Sequence, residues 1–172
     1  MSKRELHEPF ESLYRIQRAL VGHISYLAAC EANVAFTEYL LYEPILRVLL
    51  IRNYDVQCEV SCAGFLPQEA RGDHKRIDFV VKKQGYHFAL EVKWPRKRIN
   101  TLDVKPDHEK LAAFKKKNTN SQSFLCLFGR YSHINNINLS RGGFVMPKQL
   151  PPIYAFFRRT QYGCKVYQLK VV

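Results

Sequence analysis

KRIDFVVKKQGYHFALEVKW, residues 75–94, divides into two strand-length runs on either side of Gln84-Gly85. Lys75–Lys82 is apolar at Ile77, Phe79, Val80 and Val81, and Tyr86–Trp94 carries Phe88, Leu90 and Val92. Glycine supplies the positive φ of a two-residue hairpin turn, so the stretch predicts two antiparallel strands. With that turn, Asp78 lies directly across from Glu91, whereas another loop length shifts the pairing. Side chains alternate along a strand. Glu91 and Lys93 therefore share the face of Asp78, and Ile77, Phe79 and Val81 share the other face with Phe88, Leu90 and Val92.

Two carboxylates side by side in a strand pair repel each other where apolar residues would cost less. A divalent cation removes the conflict. Mg²⁺ takes oxygen ligands and keeps several waters, which suits two carboxylates. A lysine beside it can orient water or neutralise charge developing on a phosphate.

Asp78, twelve intervening residues, then Glu91-Val92-Lys93 resembles the D…(D/E)xK signature of the PD-(D/E)xK nuclease superfamily. The resemblance covers residues 34–129. Ile77 stands where the family name has proline. The resemblance implies a core of one helix, two or three antiparallel strands, a second helix and a further strand. It also implies metal-dependent phosphodiester hydrolysis, with Asp78 and Glu91 as ligands of Mg²⁺, for which Mn²⁺ can substitute, and Lys93 at the reacting water.

The net charge of +12 is unevenly spread. Residues 1–70 hold six Lys/Arg and nine Asp/Glu, residues 71–117 hold fourteen and six, and residues 118–172 hold seven and none. That asymmetry points to a polyanionic partner, and beside the acid–lysine face to nucleic acid, with DNA expected. No apolar run spans a membrane and no leader segment is evident. The five cysteines are scattered without a CxxC pair, so they read as thiols of a reducing, cytoplasmic compartment.

Along the chain, Glu8-Pro9 opens a helix with Leu13, Ile16, Leu20, Ile24 and Leu27 at helical spacing. It precedes the family core, and either packs onto the domain or meets a second copy. Glu31-Ala32-Asn33 marks a break. Val34–Asn53 is a second helical stretch with Leu41, Ile45, Val48 and Leu49 on one face. Pro44 kinks it or starts a new segment. Glu38 falls on the apolar face and Glu43 opposite, beside Arg47. Members of the family often place a glutamate of this helix in the metal site, so Glu38 is the expected third ligand.

Asp55–Ala63 is the first strand, with Val56, Cys58 and Val60 on one face, and Gly64–Gly72 is a loop. Arg96, Lys97 and Arg98 follow the Glu91 strand where a phosphate backbone can lie. Trp94 either stacks on a base or joins the core. His87 shares the strand parity of Glu91. Asp107 caps a second core helix, His108–Lys117, on which Lys110 is the counterpart of the family's site-facing polar residue. Lys110 and the Lys115-Lys116-Lys117 run add to the nucleic-acid surface. Ser123–Phe128 is the next strand and Tyr131–Ser140 a loop. Ile153–Arg159 and Lys165–Val171 form a hairpin across Gln161-Tyr162-Gly163, with Arg158 and Arg159 as further phosphate contacts.

The expectation is thus one α/β domain over 1–172. It has a restriction-endonuclease-like mixed sheet flanked by helices, with an N-terminal helical addition (1–33), a catalytic core (34–129) and a C-terminal extension (130–172) ending in a β-hairpin. Asp78, Glu91 and Glu38 form the metal set, with Lys93 beside them. Cutting two strands with one site per chain favours a homodimer or a partner subunit. The second reading is a nucleic-acid-binding subunit that keeps the fold without cutting.

Overall fold

The computed structural model describes residues 7–30, 38–62, 75–95, 102–157 and 159–170. The break at Glu31–Asn33 and the Gly64–Gly72 loop lie outside them. The elements are α1 (Phe10–Ala29), a 3₁₀ turn (Glu38–Leu41), α2 (Tyr42–Ile51), β1 (Asp55–Ser61), β2 (Arg76–Lys83), β3 (Tyr86–Lys93), α3 (Lys105–Lys117), β4 (Gln122–Arg130), one-turn α4 (Tyr131–Ile134), a second 3₁₀ turn (Ser140–Gly142), β5 (Phe144–Val145), β6 (Ile153–Phe157) and β7 (Thr160–Leu169). Among the described residues the strands form one mixed sheet in the order β1-β2-β3-β4-β7-β5, with β6 also paired to β7. Helices lie on both of its faces.

The β2–β3 hairpin has the register that a two-residue turn demands, Lys83↔Tyr86 through Phe79↔Leu90, with Gly85 at φ 81°. β4 runs parallel to β3 and antiparallel to β7. On one face Phe79, Val81, Phe88, Leu90 and Val92 pack with Leu13, Ile16, Leu20 and Ile24 of α1 and Leu41, Ile45 and Leu49. The apolar stripe of α1 is thus consumed inside the chain, and Gln17 on the same stripe donates to the carbonyls of Pro151 (3.3 Å) and Cys164 (3.2 Å). On the other face Val80, Ala89, Leu125, Leu127 and Tyr167 pack under Leu111 and Phe114 of α3.

Several boundaries differ from the sequence reading. Over its described residues the second helical stretch is a 3₁₀ turn followed by α2, and of the two expectations for Pro44 the new segment holds: it lies in the first turn of α2, where its missing N–H costs nothing. Val56 and Val60 do not share a face, nor do Ile77 and Phe79. Val56 and Phe79 join the α1–α2 core, while Val60 and Ile77 join the α3 core. The switch occurs at Glu59, whose φ of 52° breaks the pleat between Cys58↔Phe79 and Val60↔Ile77. Cys58 is exposed.

Asp107 is not a cap. α3 begins at Lys105 with Pro106 in its first turn, which puts Asp107 inside the helix. Residues 131–140 contain α4 rather than only loop. Gln161–Gly163 lies within β7, not in a turn. β6 and β7 already pair at Phe157↔Thr160, and a Cβ on Gly163 would lie 2.4 Å from Tyr154 Cδ1. Glycine serves close packing there. Among the described residues no helix is long and apolar enough to cross a membrane.

Candidate functional site

The β2–β3 ladder ends at Phe79↔Leu90, although both strands continue and each keeps its outer partner. Asp78 and Glu91 occupy the parting. Asp78 Oδ2 accepts the Val92 N–H at 2.7 Å, and Glu91 Oε1 accepts the Asp78 N–H at 3.4 Å. Each carboxylate therefore takes a backbone donor of the opposite strand, which fixes both side chains between the strands.

The remaining oxygens face opposite sides. Asp78 Oδ1 lies 2.8 Å from the Tyr42 hydroxyl of α2, and the same hydroxyl lies 2.6 Å from Glu59 Oε1 on β1. A phenol has one proton, so it donates to one carboxylate at a time. Glu91 Oε2 accepts from Lys110 Nζ of α3 at 2.7 Å. Lys110 also donates to the Arg76 carbonyl at 3.0 Å and lies 3.3 Å from Asp107 Oδ1. Two of its N–H donors are thus hydrogen-bonded, and Asp107 adds an ion pair. Lys93 Nζ pairs with the same Asp107 oxygen at 3.2 Å. Asp107 thus bridges Lys93 of β3 and Lys110 one turn further along α3, the second contact following from i,i+3 spacing.

Burial sets the electrostatics. Glu91 is 1% exposed and Asp107 2%. Burial, then the neighbouring Asp78, pushes Glu91 up to about 8 against the pull of Lys110. Burial also raises Asp78, opposed by the Val92 N–H and Tyr42 hydroxyl. Burial works against the Lys110 ammonium, but Glu91 and Asp107 outweigh it and hold its pKa above the ordinary range. The Tyr42 phenol is raised by burial and by Glu59 and Asp78.

Of the residues expected from sequence, Asp78, Glu91, Lys93 and Lys110 are brought together. Glu38 opens the 3₁₀ turn, and its side chain lies outside the described residues. Glu43 points away, to Arg47 and His23. Arg96, Lys97, Arg98 and Arg158 lie outside the described residues. Lys115, Lys116 and Lys117 occupy the last turn of α3, where cations suit the helix dipole. Trp94 packs edge-on against Phe128 beside the core. His87 meets Phe114 at the far end of β3 from Glu91.

Tyr42, Glu59 and Asp107 escape sequence reading. Asp107 was signalled by its spacing to Lys110, and Glu59 depends on a β1–β2 register that no local turn fixes. Asp78 and Glu91 offer the oxygen donors Mg²⁺ prefers. Even so, among the described residues no group of three or more His, Cys, Asp or Glu side chains is arranged to hold a metal ion. The cation on Glu91 is Lys110. Compared with family models, curated proteins and solved structures, the chain matches none.

Proposed function

We propose that the protein is a metal-dependent nuclease that hydrolyses phosphodiester bonds, with DNA as its first expected substrate. One observation carries the reading: Asp78 and Glu91 each accept a backbone N–H of the opposite strand where β2 and β3 part, and Lys93, two residues further along β3, pairs with Asp107 beside Lys110. The succession α2, β1, β2, β3, α3, β4 is compatible with a restriction-endonuclease-like core, and the basic second half of the chain suits a polyanion.

Asp78 and Glu91 would hold Mg²⁺. When bound, the ion lowers the pKa of a coordinated water and neutralises phosphate charge. The chain's own residues do the positioning. The Val92 N–H and Tyr42 aim Asp78, and the Asp78 N–H aims Glu91. Asp107 holds Lys93 at the mouth of the site, where the partly exposed ammonium orients the attacking water or meets the charge of the pentavalent transition state.

The test is cleavage of supercoiled plasmid, single-stranded DNA and RNA with Mg²⁺, Mn²⁺ or EDTA. Wild type cuts at least one of these only with metal. Asp78→Ala and Lys93→Ala lose about a hundredfold or more while staying folded. Full cutting by either variant overturns the proposal. The Lys110–Glu91 pair favours a second reading, a nucleic-acid-binding subunit that does not cut. Tight, salt-sensitive DNA binding with no cutting under any condition selects it.

A further inference from the structure

We propose that Lys110 is the resident counter-ion of Glu91 in its ionised form, and that its ammonium must leave Glu91 for Asp107 before a divalent cation can bind. This rests on reading Asp78 and Glu91 as cation ligands. Lys110 Nζ sits 2.7 Å from Glu91 Oε2, with the Lys110 side chain 12% exposed and that of Glu91 1%. Mg²⁺ binds carboxylate oxygen at about 2.0–2.1 Å, so an ammonium on the same oxygen would be a close like charge in a buried setting. Ion and ammonium therefore compete for Glu91.

The structure also supplies the place to which Lys110 withdraws. Asp107 Oδ1 is 3.3 Å from Nζ and on the same helix, so the transfer needs only side-chain rotation. Asp107 is buried and already holds Lys93 at 3.2 Å. Drawing the second ammonium fully onto Asp107 weakens its hold on Lys93, the more exposed lysine, at the moment the cation arrives. The site exchanges one internal cation for an external one and frees the lysine that faces substrate.

The experiment measures Mn²⁺ binding to the full chain by electron paramagnetic resonance, for wild type, Lys110→Gln, Lys110→Met and Lys110→Gln/Glu91→Gln. Lys110→Gln removes the charge and keeps a hydrogen-bond donor for Glu91. It is expected to bind Mn²⁺ about tenfold more tightly than wild type, and its melting temperature is expected to rise more on adding Mn²⁺. The double variant loses the gain. Equal or weaker binding by a folded Lys110→Gln overturns the proposal. As a second measurement, the Lys110 Cε signal of wild type, assigned by its loss in Lys110→Arg, moves as Mg²⁺ saturates. An unmoved signal at saturation overturns the proposal even if no Lys110 variant folds, as does the lack of any cation binding. Cutting by wild type with unchanged affinity in Lys110→Gln removes this proposal and leaves the nuclease reading. Affinity gained without cutting by any form does the reverse.

Discussion

Glu91 carries an electrostatic conflict, a carboxyl group at 1% exposure with a second acid beside it. Its folded pKa of about 8 lies above the ordinary value of 4.5. Between those values the folded state binds a proton that the unfolded state has released. Its contribution to stability is therefore full below about pH 4.5 and is lost as pH rises toward 8. Glu91→Gln removes that dependence. The stability of Glu91→Gln relative to wild type is expected to grow between pH 5 and pH 8, by on the order of a few kcal/mol, measured as urea midpoints at both pH values. A constant difference contradicts the assignment. At this scale the sequence was informative where chemistry is local. The two-residue turn makes Asp78 and Glu91 neighbours across the hairpin, but the directly opposed pair on one face that alternation predicts is not found, because the ladder ends at Phe79↔Leu90 and Ile77 turns to the α3 side. Asp107 resembles a cap by residue type alone, whereas Pro106 in the first turn lets the helix begin two residues earlier, at Lys105. Glu59 could not be paired with Asp78 across residues 62–74, whose length leaves the register open.

Among the elements, the tie between α1 and α2 is the clearest ion-pair network. Arg52, just past α2, meets Glu8 and also Glu11 at 3.1 Å, and Glu8 accepts from Ser12 and Tyr54 at 2.7 Å each. Burial works against the Glu8 carboxylate, but Arg52, Ser12 and Tyr54 overcome it and lower its pKa. The network therefore stabilises above the ordinary carboxylate range and is lost as pH falls. Arg52→Ala is expected to cost about 2 kcal/mol at neutral pH and much less near pH 3, read from thermal unfolding. Gly163→Ala tests a different contact. Its Cβ would strike the Tyr154 ring, so a loss of about 1–3 kcal/mol is expected, where a simple turn glycine at negative φ would tolerate alanine. Apolar runs mark β1 to β4 and β6, whereas the two-residue β5 carries no such run and β7 begins at Thr160 rather than Lys165. It misplaced the final turn because glycine signals both turning and close approach, and only the β4 and β6 neighbours of Gly163 separate the two.

At the scale of the whole molecule, α1 and the β6–β7 hairpin are parts of the main core rather than attachments, since Leu20, Ile24, Cys164 and Val166 share one cluster with Phe79 and Phe88. The thiols report on that core. Cys62, Cys126 and Cys164 are buried, whereas Cys30 and Cys58 are exposed. Burial, then the neighbouring Cys126, raises Cys164 well above the usual thiol range. Two thiols are expected to react with iodoacetamide in the native protein and five after unfolding, counted by mass spectrometry. Early labelling at Cys126 or Cys164 would mean that β4 and β7 separate readily. The mixed α/β architecture was legible from alternation and helical spacing, but the helix packing that joins both ends of the chain was not, because no local pattern encodes it. The kink at Glu59 also bears on how copies of the protein behave in concentrated solution. β1 lies at the margin of the sheet, where a flat strand would offer an unbroken row of N–H and C=O groups to a strand from another molecule. A left-handed residue carrying a charge in the middle of that row interrupts the template, so the bend that brings Glu59 to Tyr42 also protects the margin from strand addition and aggregation.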